Sequence, residues 1–389
     1  MKTVGVFFGS RSAEHDISII TGQLIISTLK KMNYTAIPIY IDKKGGWFIG
    51  PELGSLKTFT GETFNLLSKK LGEYYLDLEK SSGKMVFKQK GVLGKEVIVE
   101  LAFPALHGTY GEDGTLQGLF EMINIPYVGC NVMSSAIAMD KVLTKQVFMA
   151  NNIPTLSFVS HTKQDWLHDK DRVVTEVKHA LTWPVIIKPA HLGSSIGISI
   201  AKNEEELENA LEVGFHYDEK VLTEQCVKDL SDITCALLGN ENPKASLLQE
   251  STYEKDLFSY EDKYLNDGGA QLGNAKKNLH IPARLDDKTT IEIRETAVKI
   301  YKAFECSGIA RVDFIYDKKA KKYYASEINP LPGTLYHHLW KDSGVELEEV
   351  ISTLLTLAQE RHKDKQLVTY TFQSDILKHA GSIKLQLKK

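Results

Sequence analysis

The chain has 389 residues, 25% of them charged and 42% hydrophobic, with a formal net charge of -3 at pH 7. Length and composition describe a soluble globular protein of roughly two or three domains. The missing basic excess argues against a general nucleic-acid binder, and no apolar run approaches the roughly 20 residues that span a bilayer.

The opening TVGVFFG is too short for a signal-peptide core and is stopped by Gly9 and Ser10, so it reads as a first strand. Ile17, Ile20, Leu24, Ile25 and Leu29 then recur at helical spacing, and YTAIPIYID is a second strand. A polar, weakly patterned stretch runs through Lys90. EVIVELAFPALHG gives another strand, with Leu116, Leu119, Phe120 and Ile123 marking the helix behind it. This alternation predicts an α/β fold with a doubly wound parallel sheet. A helix over about Ser135 to Asn151 follows, then strands WPVIIKPA, SSIGISIA and KVLTEQC, with an acidic helix between the last two. Beyond Lys228 come a strand, a long polar-aromatic loop, a helix with Ile293, Ala297, Ile300 and Phe304 on one side, and a hairpin; the lysine-rich end reads as solvated. Cys130, Cys226, Cys235 and Cys306 show neither CxxC spacing nor clustering with histidines, the pattern of reduced structural thiols in a cytoplasmic protein.

The hairpin joins ARVDFIYD to ASEINP through KKAKK. Centred near Ala320, it pairs Asp313 with Glu327 and Arg311 with Asn329, all on one face. Two facing carboxylates weaken a hairpin by some tenths of a kcal/mol. Either water dilutes them on an exposed surface, or a hard divalent cation such as Mg²⁺ offsets them. The large Val312, Phe314 and Ile328 between them favour one packed and one working face.

Other stretches carry chemistry. KPAHLGSSIGIS joins two strands through a loop in which Gly193 and Gly197 let backbone approach an anion, with Ser194 and Ser195 as donors. It lacks the Gly-Lys-Ser/Thr of a Walker loop, and on its own an ordinary tight loop is as good a reading. Lys188, after an apolar run, wants a counter-anion. In FFGSRSAEHDIS, Glu14 is either a first-turn helix acid or the anchor of a substrate ammonium group. His107 opens LHGTYGEDGTLQG, four glycines around an acid pair before a helix. STYEKDLFSYEDKYLNDGG exceeds the length of about 12 to 15 residues beyond which loops tend to be lids or binding loops, or else disordered.

Together, SAEHDIS, LHGTYGEDGTLQGLFE, PYVGC, SAIAMDKVLTK, VIIKPAHLGSSIGIS, YEDKY, ARVDF and EINPLPG, from about Gly9 to Trp340, resemble the D-alanine:D-alanine ligases of the ATP-grasp superfamily. The resemblance implies three domains: an N-terminal substrate domain (1–129) on a doubly wound parallel sheet, a central α+β lid (130–226), and a C-terminal α+β catalytic domain (227–389) with the metal-binding hairpin and a covering loop at 251–269. By motif position it assigns Lys141, Lys188, Gly193, Ser194, Ser195, Gly197, Glu224, Asp232 and Lys263 to ATP. Asp313, Glu327 and Asn329 are assigned to two Mg²⁺ (or Mn²⁺) ions. It implies that Glu14 anchors the first ammonium, that Glu14, Ser194 and Tyr264 fasten the loop, and that His107 lies near the first substrate. It also implies that Arg311 and the Gly333 amide stabilise an oxyanion. The implied reaction joins two D-alanines through an acyl phosphate for peptidoglycan precursors, in a cytoplasmic homodimer without nucleic-acid or membrane partners.

Three features depart from the family pattern: His338 stands where a serine receives the second substrate's carboxylate, Asp232 replaces a glutamate, and Cys226 replaces an aromatic residue. The alternatives are an ATP-grasp ligase joining D-alanine or another amino acid to a different second acid, and a nucleotide-binding regulator without chemistry.

Overall fold

A computed structural model describes residues 3–91, 94–252 and 279–379. Among them the strands form three sheets. The first contains β1 (Thr3–Gly9), β2 (Thr35–Ile41), β3 (Trp47–Ile49), β4 (Tyr74–Leu76), β5 (Met85–Gln89), β6 (Glu96–Val99) and β7 (Leu101–Pro104), in the order β6-β5-β4-β3-β2-β1-β7. β1 is parallel to β2 and β7, the α/β unit that the alternation predicts, while β3 to β6 extend the sheet antiparallel. The polar stretch before Lys90 hides β3, β4 and β5, because strands of three to five residues are too short to display a period. The run EVIVELAFP divides at Glu100, whose carboxylate accepts from the Thr3 N–H at 2.8 Å.

β1 is buried on both faces. Val4, Val6 and Phe8 meet Ile25, Ile26 and Leu29 of helix His15–Lys31, in a core that continues into Leu339, Trp340 and Leu354 near the C-terminal end. Phe7, on the other face, meets Trp47, Phe87 and Phe120. This alternation is the two-residue period of a strand covered on both sides.

The second sheet holds β8 (Phe158–Thr162), β9 (Val185–Pro189), β10 (Ser199–Ala201) and β11 (Lys220–Gln225), antiparallel in the order β10-β9-β11-β8. Val185, Ile187 and Val221 pack under helices Lys170–Ala180 and Glu204–Tyr217, which leaves Lys188 and Glu224 on the opposite face. The third contains β12 (Leu230–Gly239), β13 (Lys244–Ser251), β14 (Leu279–His280), β15 (Gly308–Asp317) and β16 (Lys322–Asn329), antiparallel in the order β14-β13-β12-β15-β16. Helix Asp287–Ala303 buries Ile293, Ala297 and Ile300 against Val312 and Phe314.

The single helix expected over Ser135 to Asn151 is two, Val132–Met139 and Lys141–Ala150. Asp140 divides them: its backbone is extended and its side chain caps the second helix at Val142 N (2.8 Å) and Leu143 N (3.1 Å). Continuous apolar spacing masked that cap.

Phe7→Ala removes a fully buried ring from the first sheet's aromatic cluster. It is expected to lower stability by about 3–5 kcal/mol in a urea titration.

Candidate active site

β15 and β16 pair Arg311 with Asn329 and Asp313 with Glu327, as expected from the sequence. Between Asp313 and Phe314 the register shifts, because Phe314 faces Ala325 and Ser326 is an extra residue on β16. Arg311 donates from Nε to both Asp313 oxygens (3.0 and 2.9 Å) and from NH2 to Oδ2 (2.6 Å). Asn329 Nδ2 (3.1 Å) and Thr234 Oγ1 (2.9 Å) also donate to Asp313, and Glu327 Oε1 lies 3.8 Å from Arg311 NH2. Burial lowers the Arg311 guanidinium, but Asp313 beside it raises it overall. Burial, with the facing Glu327, pushes the Asp313 carboxyl up despite Arg311.

On the second sheet, Glu224 lies between two ammonium groups: Lys145 Nζ at 2.6 Å from Oε2 and Lys188 Nζ at 2.6 Å from Oε1. The Glu224 and Lys145 side chains are each 1% exposed, so this charge set is inside the protein. Burial would raise the Glu224 carboxyl; Lys145 and Lys188 outweigh it and hold it at about 2. Lys145 also donates to Thr155 Oγ1 at 2.9 Å, and Thr155 donates to Ala325 O at 3.0 Å, which ties the second sheet to the register shift in β16. Asp232, in β12, adds to the negative charge felt by Lys188.

Glu14 is buried at the start of helix His15–Lys31 and accepts a hydrogen bond from Ser194 Oγ. A Cβ on Gly108 or on Gly193 would sit 2.9 Å from Glu14 Oε2, so this packing requires glycine on both sides of the carboxylate. Ser194 and Ser195 have φ of 56° and 60°, and Lys141 Nζ donates to Leu192 O at 2.6 Å at the loop's root. Glu112 accepts from Gly108 N at 2.7 Å; burial, then the nearby Glu14, raise its carboxyl to about 8.

His107 is buried, and burial lowers it to about 4, so it is neutral near pH 7. Its Nε2 lies 2.8 Å from Thr21 Oγ1, which accepts from Thr334 N at 3.0 Å, and its ring also bonds the Leu331 backbone. His107 thereby ties the first sheet to the segment after Pro330. In that segment Thr334, Leu335 and Tyr336 have φ of 50°, 55° and 51°, and the Tyr336 ring lies 5.1 Å from the Arg311 guanidinium carbon. His338 Nε2 donates to Gln249 Oε1 at 2.7 Å; burial lowers this imidazole too, to about 4.

Glu14, His107, Lys141, Gly193, Ser194, Arg311, Glu327, Asn329 and Gly333 meet around one recess. Asp313 joins it through Arg311 and Asn329, whereas Lys188, Glu224 and Asp232 do not line it, the Glu224–Lys188 pair lying buried in the second sheet. Lys263 and Tyr264 lie outside the described residues. Sequence reasoning missed Lys145, Glu112, Thr21 and Thr234. Glu112 stood within the glycine-rich acid pair, but nothing near Lys145 sets it apart from a surface lysine.

A three-sheet α/β architecture whose second and third sheets bring lysines, a glycine-rich loop and an acidic hairpin together defines an ATP-grasp enzyme. Residues 3–130 match the family model "D-ala D-ala ligase N-terminus" and residues 147–356 match "D-ala D-ala ligase C-terminus". The D-alanine–D-alanine ligase of Thermosipho melanesiensis is 37% identical over 378 residues, 97% of this chain and 99% of its own. That of Caldicellulosiruptor bescii is 38% identical over 375 residues, 95% of this chain and 98% of its own. Among solved structures, the D-alanine-D-alanine ligase from Coxiella burnetii aligns with a TM-score of 0.77 at 29% identity, covering 94% of this chain and 98% of that one. The VanG D-Ala:D-Ser ligase from Enterococcus faecalis aligns with a TM-score of 0.78 at 29% identity, covering 92% and 99%. The chain belongs to the D-alanine–D-alanine ligase family, and it is an ATP-dependent ligase that joins D-alanine to D-alanine.

Glu224→Gln leaves Lys145 and Lys188 buried without their counter-charge and is expected to cost about 3–5 kcal/mol at pH 7 by urea unfolding. The folded Glu224 carboxyl is depressed from 4.5 to about 2, so its contribution is present above about pH 4.5 and is lost as pH falls toward 2. The difference between wild type and variant should narrow over that window.

Proposed function

We propose that the recess performs the ligation with the residues that line it. The observation that carries this reading is the β15–β16 face, with Arg311 opposite Asn329 and Asp313 opposite Glu327, set beside Glu14, Lys141, Ser194 and Gly333. One D-alanine carboxylate attacks the terminal phosphate of ATP and displaces ADP to give an acyl phosphate, and the amine of a second D-alanine then attacks the acyl carbon, losing a proton and displacing phosphate. Glu14 pairs with the first ammonium group. Lys141, Lys188 and the loop of Gly193, Ser194, Ser195 and Gly197 hold the phosphates, and Glu224 and Asp232 form the nucleoside side. Arg311 and the Gly333 amide stabilise the tetrahedral oxygen, a preorganised electrostatic contribution of several kcal/mol. His107, neutral and fixed by Thr21, orients the segment that carries Gly333.

Asp313, Glu327 and Asn329 supply oxygen donors to one face, the chemistry that a hard divalent cation takes. Burial, and then the facing Glu327, keep the Asp313 carboxyl raised even beside Arg311, and a bound cation would offset both. These residues would hold two Mg²⁺ or Mn²⁺ ions, which when bound neutralise charge on the phosphates.

We assign residues 1–129 to a substrate domain, 130–226 to a central lid and 227–389 to a catalytic domain, each containing one of the three sheets. The enzyme acts on free amino acids in the cytoplasm as a homodimer, without nucleic-acid or membrane partners. The net charge of -3 supports the absence of a nucleic-acid partner.

Purified protein with ATP, Mg²⁺ and a panel of D- and L-amino acids is expected to release phosphate with D-alanine and to yield D-alanyl-D-alanine by mass spectrometry. No release with D-alanine alone would sink the reading. Glu327→Gln should lower kcat by roughly a hundredfold or more with an unchanged melting curve; retained turnover would refute the metal assignment.

A further inference from the structure

The root of the Gly193–Gly197 loop is held by charge. His191 Nδ1 lies 3.0 and 3.1 Å from the two Asp218 oxygens, and Nε2 lies 3.4 Å from Asp140 Oδ2. The His191 backbone N–H donates to Asp218 Oδ2 at 2.7 Å. Asp140 and Asp218 side chains are each 6% exposed, and the Lys220 ammonium also bonds Asp140. Asp140 is the cap that starts helix Lys141–Ala150, and Lys141 N donates to Ala190 O at 3.0 Å. Residues 140–141 and 190–192 are thus joined side chain to side chain and backbone to backbone, with His191 at the centre.

The groups facing the imidazole come from three elements: Asp140 from the helix cap, Asp218 from the end of helix Glu204–Tyr217, and Lys220 from β11. With the imidazole protonated, two cations balance two carboxylates. Without that proton the cluster carries a net negative charge at the base of a loop whose proposed ligand is itself anionic. Hydrogen bonds to Asp140 and then Asp218, against burial, raise His191 to about 9, so the balanced state holds at neutral pH.

We propose that His191, bridging Asp140 and Asp218, is a positioning residue for the nucleotide phosphates: it fixes the loop root against Lys141 and cancels the carboxylates that would repel an anion. This rests on the assignment of the loop to ATP. Because the folded imidazole is raised from 6.5 to about 9, it stays protonated through neutral pH and its contribution to positioning is lost as pH rises through about 9.

Steady-state kinetics with ATP varied at saturating D-alanine, from pH 7 to 10, test this in wild type, His191→Gln and His191→Arg. At pH 7, His191→Gln is expected to raise KM for ATP roughly five- to tenfold, with kcat within about twofold and KM for D-alanine unchanged. The wild-type KM for ATP should climb as pH passes 9. That of His191→Gln should stay level, and His191→Arg should keep the low value throughout. A wild-type KM in His191→Gln, or the same alkaline rise in both, would overturn the proposal. Calorimetric titration of ATP into the same three proteins reads the contrast without turnover. A wild type that binds ATP but does not ligate D-alanine defeats the substrate assignment, while the affinity ratio still decides the role of His191.

Discussion

Everything in the recess depends on how β16 registers against β15. Along β15, Val312 and Phe314 point into the core while Arg311 and Asp313 point to the recess. On β16 the inward residues are Ala325 and then Ile328, three apart rather than two or four. Only an extra residue reconciles those spacings with a two-residue period, and Ser326 supplies it as a β-bulge. Without it, Glu327 and Asn329 would continue the parity of Ala325 and face the apolar interior. The bulge therefore places two charged or polar side chains opposite Arg311 and Asp313, and its neighbour Ala325 is bonded on both backbone groups, N–H to Pro154 O at 2.7 Å and C=O from Thr155.

Thr155 is also where the hairpin meets the second sheet, through Lys145 and then Glu224. Two ammonium groups against one carboxylate leave that wall with one excess positive charge, and Glu327 across the recess acts on both lysines. An arrangement buried this deeply is costly to desolvate, and it persists because Glu224 meets both lysines and Lys145 also bonds Thr155. The same surplus suits a polyanionic nucleotide. Under the proposed nucleotide assignment, stability of the fold and attraction for the ligand draw on the same three side chains.

Much of this was legible. Strand alternation gave the packed and working faces of β15, and glycine positions marked the loops that approach Glu14, because close backbone contact leaves a composition signature. What was not legible has physical reasons. The turn of the hairpin is centred between Lys319 and Ala320, yet pairing about Ala320 still predicted the correct partners, since the bulge shifts the register by one residue before the site is reached. Lys145 looked like a surface charge because Lys is almost never fully buried unless paired, and its partner Glu224 is distant in sequence. Asp140 interrupts an apolar period without breaking it, so its capping role appears only when the backbone turns extended.

The segment after Pro330 shows how the fold maintains an unfavourable backbone at the site. Three successive non-glycine residues, one of them the β-branched Thr334, have positive φ, at a cost on the order of 1–3 kcal/mol each. The compensations are all local: Thr334, Leu335 and Tyr336 are buried, the Thr334 amide is bonded to Thr21, and the Tyr336 ring packs by Arg311. Gln249 joins Tyr336 to His338, donating to the Tyr336 hydroxyl at 3.2 Å while accepting from the imidazole. Because His338 is neutral and its Nε2–H is committed to Gln249, that N–H is engaged inside the protein instead of being offered to a substrate carboxylate. His338 therefore works first as a brace for the strained turn, which in the proposed mechanism leaves Arg311 and the Gly333 amide as the donors to the reacting atoms.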